Sequence, residues 1–273
     1  MQSGGVDFAI PNFSGRCLVA VVLIVAIMAA PIFGGDKGQS FKIPPVEIPL
    51  KIKDQQVTIV ASGRVTMAAK DHGLNILSVD LTADLADLQQ NFTAVLASEL
   101  DKDDRCGDRI QIEDAKLTPA EPASLVVVQL HYERWGCAKF LGKQEVKRLI
   151  GGNAVVQMKL TPSVGENHTE LRLAAELGPI EANGSLGELL RTGNLGELLR
   201  DKIQAAILSA VQKGLDLGAI LPPVLQGSVT IQDARFRDAG SGRLLVALAG
   251  QVRITDEQVG ALAQELKDRL PSH

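Results

Sequence analysis

Few side chains in this 273-residue chain stand at spacings that could do chemistry. The four histidines, His72, His131, His168 and His273, lie outside metal-ligand spacing of one another and of any cysteine, so no metal site is expected. The acidic stretch of Asp101, Asp103, Asp104 and Asp108 invites a calcium reading, but Arg105 stands at a ligand position and Ile112 where the bidentate Glu belongs. A solvated acidic loop is the better account. A Gly-rich phosphate loop, a G-x-S-x-G elbow and an H-E-x-x-H pair are all missing, and nothing sets a nucleophile beside a base. We therefore expect no catalytic residue and no cofactor, and read the chain as a non-enzyme. One polar cluster remains, His131-Tyr132-Glu133-Arg134-Trp135, which holds the only Tyr and the only Trp. In a strand, alternation divides it into His131, Glu133 and Trp135 on one face and Tyr132 and Arg134 on the other. It reads either as the mouth of a ligand site or as a strand end locked by packing beside Cys137.

The cysteines carry the other chemical signal. Cys106 and Cys137 flank a turn-forming cluster at residues 118–123, and folding about that turn brings them almost opposite each other, within disulfide range. Pairing Ile110 with Tyr132 and Ile112 with Leu130 needs residue numbers that sum to 242, whereas the cysteines sum to 243. A one-residue irregularity at Gly107 or Gly136 would reconcile the registers. The alternative is two free buried thiols. A bond here points to an oxidising compartment.

The N-terminal region fits export. Residues 17–33 form an uncharged apolar run after Arg16, with Met28 or Ile27 where a cleavage site wants a small residue and Pro31 directly after Ala30. We expect residues 1–16 to be a cytoplasmic tail, 17–33 an uncleaved signal anchor in the membrane, 34–44 a linker, and 45–270 a single exported domain. The aromatic-poor, Ala- and Leu-rich composition looks bacterial, so the expected location is the inner membrane with the domain in the periplasm. The alternative is a protein released there after signal cleavage. With a net charge of −4, no long basic run and only 3% aromatic residues, nucleic acid is not an expected partner.

Period-two alternation predicts strands from Val46 to Ile52, Val57 to Ala69 and Leu74 to Leu81. A helix follows, with Leu85, Leu88, Phe92, Val95, Leu96 and Leu100 on one face. Four strands come next, over residues 109–116, 125–135, 144–160 and 169–182, with Gly151-Gly152 read as a bulge or bend. The motif LGELLR occurs at 186–191 and again at 195–200. We read it as a short helix, a break, and a long amphipathic helix over residues 195–217. Two more strands, 226–237 and 243–254, and a last helix opened by a capping box at Thr255 to Gln258 complete an α+β order.

This order of elements resembles the tubular lipid-binding (TULIP) superfamily. The resemblance rests on the helix at 195–217, the strand runs around it and the Gly151-Gly152 bend. It implies a curved antiparallel sheet wrapped around a long amphipathic helix, and an apolar ligand, a lipid above all, held between them. The residues expected to line such a cavity are Leu199, Ile203, Ile207 and Val211 of the helix and Val156, Met158, Leu171 and Leu173 of the sheet. The rival reading is a non-enzymatic scaffold or assembly factor of the bacterial envelope, whose partner would be another envelope protein.

Overall fold

The computed structural model describes residues 40–52, 54–71, 73–103, 106–140, 143–191, 215–216, 227–258 and 260–261. The expected tail at 1–16, the anchor at 17–33 and most of the helix at 195–217 lie outside the described residues. So do Leu199, Ile203, Ile207 and Val211.

Among the described residues the chain forms eleven strands, all paired antiparallel, and two helices of at least two turns. One sheet has the order β1 (Ser40–Ile52), β2 (Gln55–Asp71), β3 (Leu74–Asp84), β11 (Leu244–Thr255) and β10 (Val229–Asp238). The other has β4 (Lys102–Asp103), β5 (Asp108–Ala120), β6 (Ala123–Phe140), β7 (Lys143–Val164), β8 (Glu170–Ala182) and β9 (Leu215–Asp216). The helices are α1 (Ala86–Leu100) and α2 (Gly184–Arg191).

Three expectations change. The strands divide between two sheets where one was expected, because α1 ends the first meander and β11 returns to occupy the free side of β3, pairing Thr255 with Leu74 and Leu245 with Asp84. The first strand begins at Ser40, inside the expected linker at 34–44, since Phe41 and Ile43 continue the apolar face opposite Val65 and Gly63. Leu215 and Asp216 are strand, paired with Leu171 and Glu170 of β8. Those two residues, expected at the end of a helix over 195–217, are therefore not helical.

The core lies where α1 crosses between the sheets. Leu85, Leu88, Phe92, Leu96 and Leu100 pack with Ile112, Ala115 and Leu117 of β5, and beyond them Val126, Val128, Val156 and Met158 are buried, alongside Phe236 and Leu244 from the first sheet. Removing such side chains from water, at about 25 cal/mol per Å² of apolar surface, is the main force holding helix and sheets together.

The β10 edge of the first sheet is held by backbone contacts from the second. On β10, Ile231 N–H donates to the His168 carbonyl at 2.7 Å and Phe236 N–H to the Pro122 carbonyl at 2.9 Å, so two turns of the second sheet grip the edge of the first. The capping box also forms. Gln258 N–H donates to Thr255 Oγ1 at 3.1 Å, and Thr255 N–H donates to Gln258 Oε1 at 2.9 Å.

Candidate functional site

Two places combine accessible space or charge with a built surround. The first is a cleft at the outer end of the second sheet. Strand β8 alternates inward and outward residues, and its inward row of Leu171, Leu173, Ala175 and Leu177 is only half-buried, whereas the matching β7 residues Val156, Met158 and Leu160 are buried. Helix α2 covers the far end of this row. Its Leu186 is fully buried, and Leu189 and Leu190 pack against the core. Between β8 and α2 lies a cleft of about 340 Å³, lined among the described residues by Ile180, Glu181 and Ala182 of the strand and Gly187, Leu190 and Arg191 of the helix. Its lining joins apolar side chains to one anionic and one cationic group.

The glycines hold α2 in place. Gly151-Gly152 was expected to bend β7, but the register shifts at neighbouring points, between Arg134 and Trp135 on the β6 side and between Val156 and Met158 on the β8 side. At Gly152 an added Cβ would collide with the carbonyl oxygen of Asn183. Ser185 Oγ accepts from Gly151 N–H and donates to the Gly151 carbonyl, both at 3.0 Å, and Asn183 Oδ1 accepts from Asn153 N–H at 2.9 Å. The bare Gly152 Cα and the Gly151 backbone together seat the start of the helix.

The second place is the polar cluster where β6 and β7 leave the sheet. Glu133 sits at its centre. Its Oε1 accepts from Arg148 at 2.9 Å, its Oε2 from the Trp135 indole N–H at 2.8 Å, and His131 Nε2 stands 3.4 Å away. The Arg148 hydrogen bond first, then that of Trp135, hold the Glu133 carboxyl well below the usual carboxylate range, at about 2. The Arg109 guanidinium lies 4.4 Å from the centre of the Trp135 ring, a cation–π contact. On the opposite face, Tyr132 and Arg134 both donate to Asp108 Oδ1 at 2.8 Å. Burial, with the Asp108 carboxylate as the next cause, pushes the Tyr132 hydroxyl up to about 12. The division of faces is the one alternation predicts, and the groups satisfy one another, as a locked strand end requires.

Cys106 and Cys137 are bonded, with their Cα atoms 5.5 Å apart. Ile110 pairs with Tyr132 and Ile112 with Leu130, as expected. Gly107, with φ of 151°, still accepts the Trp135 N–H at its carbonyl at 2.7 Å, so the register holds to that point and the one-residue offset falls between it and the disulfide.

Of the expected cavity residues that are described, Val156 is 0% and Met158 3% exposed, deep in the core. Leu173 packs against that core, and Leu171 is half-buried opposite Leu215. None of these four lines the cleft. Ile180, Ala182 and Leu190 do, and their only sequence signal was a strand end running directly into an amphipathic turn. Among the described residues no three His, Cys, Asp or Glu side chains are grouped to hold a metal ion.

No family model matches the chain, and no curated protein does. Among solved structures it is similar to one described as the crystal structure of lipopolysaccharide binding protein, at 10% identity and a TM-score of 0.33. That match covers 64% of this chain, which spans about a third (32%) of the other.

Proposed function

We propose that this chain is an exported, membrane-anchored carrier that binds a lipid or another apolar molecule without acting on it chemically. The observation that carries the reading is the change across the second sheet, from a buried apolar row on β7 to a half-covered one on β8 that runs into the cleft beneath α2. A wall only half covered by its own chain offers apolar area that a ligand can remove from water.

The other wall is proposed to be the amphipathic stretch at 195–214, with Leu199, Ile203, Ile207 and Val211 turned toward β8. Helix α2 ends at Arg191 beside Ala182, and the chain is back at Leu215, paired with Leu171. The 20 residues at 195–214 would span about 30 Å as a helix, with the break at 192–194 making up the remainder. From Leu171 to Ala182 the strand spans about 36 Å. The lengths agree, which supports a helix laid along β8. The Cys106–Cys137 bond supports export to an oxidising compartment. The apolar run at 17–33 supports the anchor.

The test is to express the chain in an oxidising compartment, purify it, and compare native with denaturing mass spectra alongside an organic extract. A stoichiometric lipid, lost when Ile203→Trp and Ile207→Trp fill the proposed groove, is the expected result. A clean apo mass, with no uptake of a fluorescent fatty acid or phospholipid, overturns the carrier reading and leaves the scaffold.

A further inference from the structure

Of the seven asparagines in the chain, at 12, 75, 91, 153, 167, 183 and 194, only Asn183 is followed by glycine. An asparagine in that setting carries its own reaction partner. The backbone nitrogen of the next residue can attack the side-chain amide carbon, and a glycine has no Cβ to obstruct the approach. The fold sets this dipeptide at the joint between β8, which ends at Ala182, and α2, which begins at Gly184.

Three local features favour the attack. Asn183 is exposed, so water reaches its amide and ammonia can leave. Its Oδ1 accepts the Asn153 N–H at 2.9 Å, which fixes a donor on the oxygen that gains negative charge when the amide carbon is attacked. Gly184, with φ of 62°, opens its helix, where backbone N–H groups have no intrahelical acceptor to compete for them.

We propose that Asn183 deamidates spontaneously in the folded protein and that the isoaspartyl product unseats α2 from β7. The Gly184 nitrogen gives its proton to hydroxide or a buffer base and bonds to Cγ of Asn183. The bond from Cγ to the amide nitrogen breaks, ammonia departs, and a cyclic succinimide is left. Water then opens the ring, and nothing is oxidised or reduced. Opening at Cγ returns an ordinary aspartate. Opening at the main-chain carbonyl carbon routes the chain through Cγ, with an extra carbon between residues 183 and 184 and a free carboxylate where the peptide carbonyl stood.

That carbonyl is the part of Asn183 with the least room to change. It accepts the Gly187 N–H at 3.0 Å in the first turn of α2, and it lies so close to Gly152 that a Cβ there would collide with it. A longer main chain and a carboxylate at this point force the start of α2 away from β7. The aspartyl product keeps the main chain and an acceptor for the Asn153 N–H, and leaves α2 in place. The reaction needs no ligand and stands apart from the carrier reading.

The test is to age the full chain at neutral and alkaline pH and digest it with trypsin. The peptide 173–191, whose only asparagine is Asn183, should become about one dalton heavier, faster at the higher pH. It should separate into an aspartyl form that the protease Asp-N cuts and an isoaspartyl form that resists it. In the isoaspartyl fraction of the intact protein, the amides of Asn153 and Gly187 should exchange faster with deuterium than in fresh protein. Asn183→Asp, which has the charge without the extra main-chain carbon, should keep the slow exchange. Asn183→Gln should hold its starting mass. The proposal fails if the folded chain keeps an unmodified peptide while a sample unfolded in urea converts. It fails equally if the product is aspartyl alone, or if the isoaspartyl fraction exchanges like fresh protein. Should a variant misfold by circular dichroism, the comparison of folded with unfolded wild type decides.

Discussion

The side chain of Thr93 stands where a neighbouring strand would place its backbone. Its Oγ1 accepts the Ala115 N–H at 2.9 Å and donates to the Ala115 carbonyl at 3.1 Å. The same row of α1 repeats the device. Gln89 donates to the Leu117 carbonyl at 2.8 Å, and Asp101, at the end of the helix, accepts Ile112 N–H at 2.7 Å. Four helical residues rise about 6 Å and two strand residues about 6.6 Å, so a helix lying antiparallel to β5 can serve its edge at successive positions. The β5 bulge between Ile112 and Asp114 falls inside this span. An edge that would otherwise offer free hydrogen bonds to another chain is closed by side chains.

Thr93→Val keeps the shape and removes the hydroxyl, leaving the N–H and C=O of a nearly buried Ala115 short of a partner. The expected loss is about 1–3 kcal/mol, read as a lower urea midpoint with an unchanged slope.

Gly152→Ala must push Asn183 and the start of α2 away from β7, and should destabilise by about 1–3 kcal/mol. Gly151→Ala meets only the flexible Arg148 side chain at 3.4 Å or more, so its melting temperature should stay within a degree or two of wild type. Equal losses from the two would refute the seat assigned to Gly152.

The Cys106–Cys137 bond spans a sequence separation of 31. Intact-mass measurement should find the chain two daltons lighter than its reduced form. Cys106→Ser/Cys137→Ser should cost about 3–4 kcal/mol in the chain-entropy model, and should free the hairpin base for faster amide exchange at Trp135 and Gly136.

Glu133 supplies a pH signature. Its folded-state pKa, about 2, is below its ordinary value of 4.5, so its contribution is present above pH 4.5 and is lost as pH falls through about 2. The wild-type melting temperature should therefore fall between pH 4.5 and 2 more steeply than that of Glu133→Gln. Parallel curves would show that the Arg148 and Trp135 contacts do not favour the folded charge.

The sequence alone determined the elements of this protein and one of its covalent links. Alternation placed nine of the eleven strands among the described residues, though β1 starts six residues before its expected start, the apolar row from Leu85 to Leu100 placed α1, and the turn at 118–123 set Cys106 nearly opposite Cys137. The Thr255–Gln258 cap was legible as well. These are local: periodicity, turn chemistry and short-range register follow from steric rules acting over a few residues. The division into two sheets was decided by tertiary structure, since it depends on β11 finding β3 from about 170 residues away. Gln89 and Thr93 lie outside the apolar row of α1, and only the β5 edge opposite them gives them a part. Gly152 read as a bend until a helix was seated on it. A polar side chain or a missing Cβ has no meaning in sequence until its partner in space is known, because the energy lies in the contact.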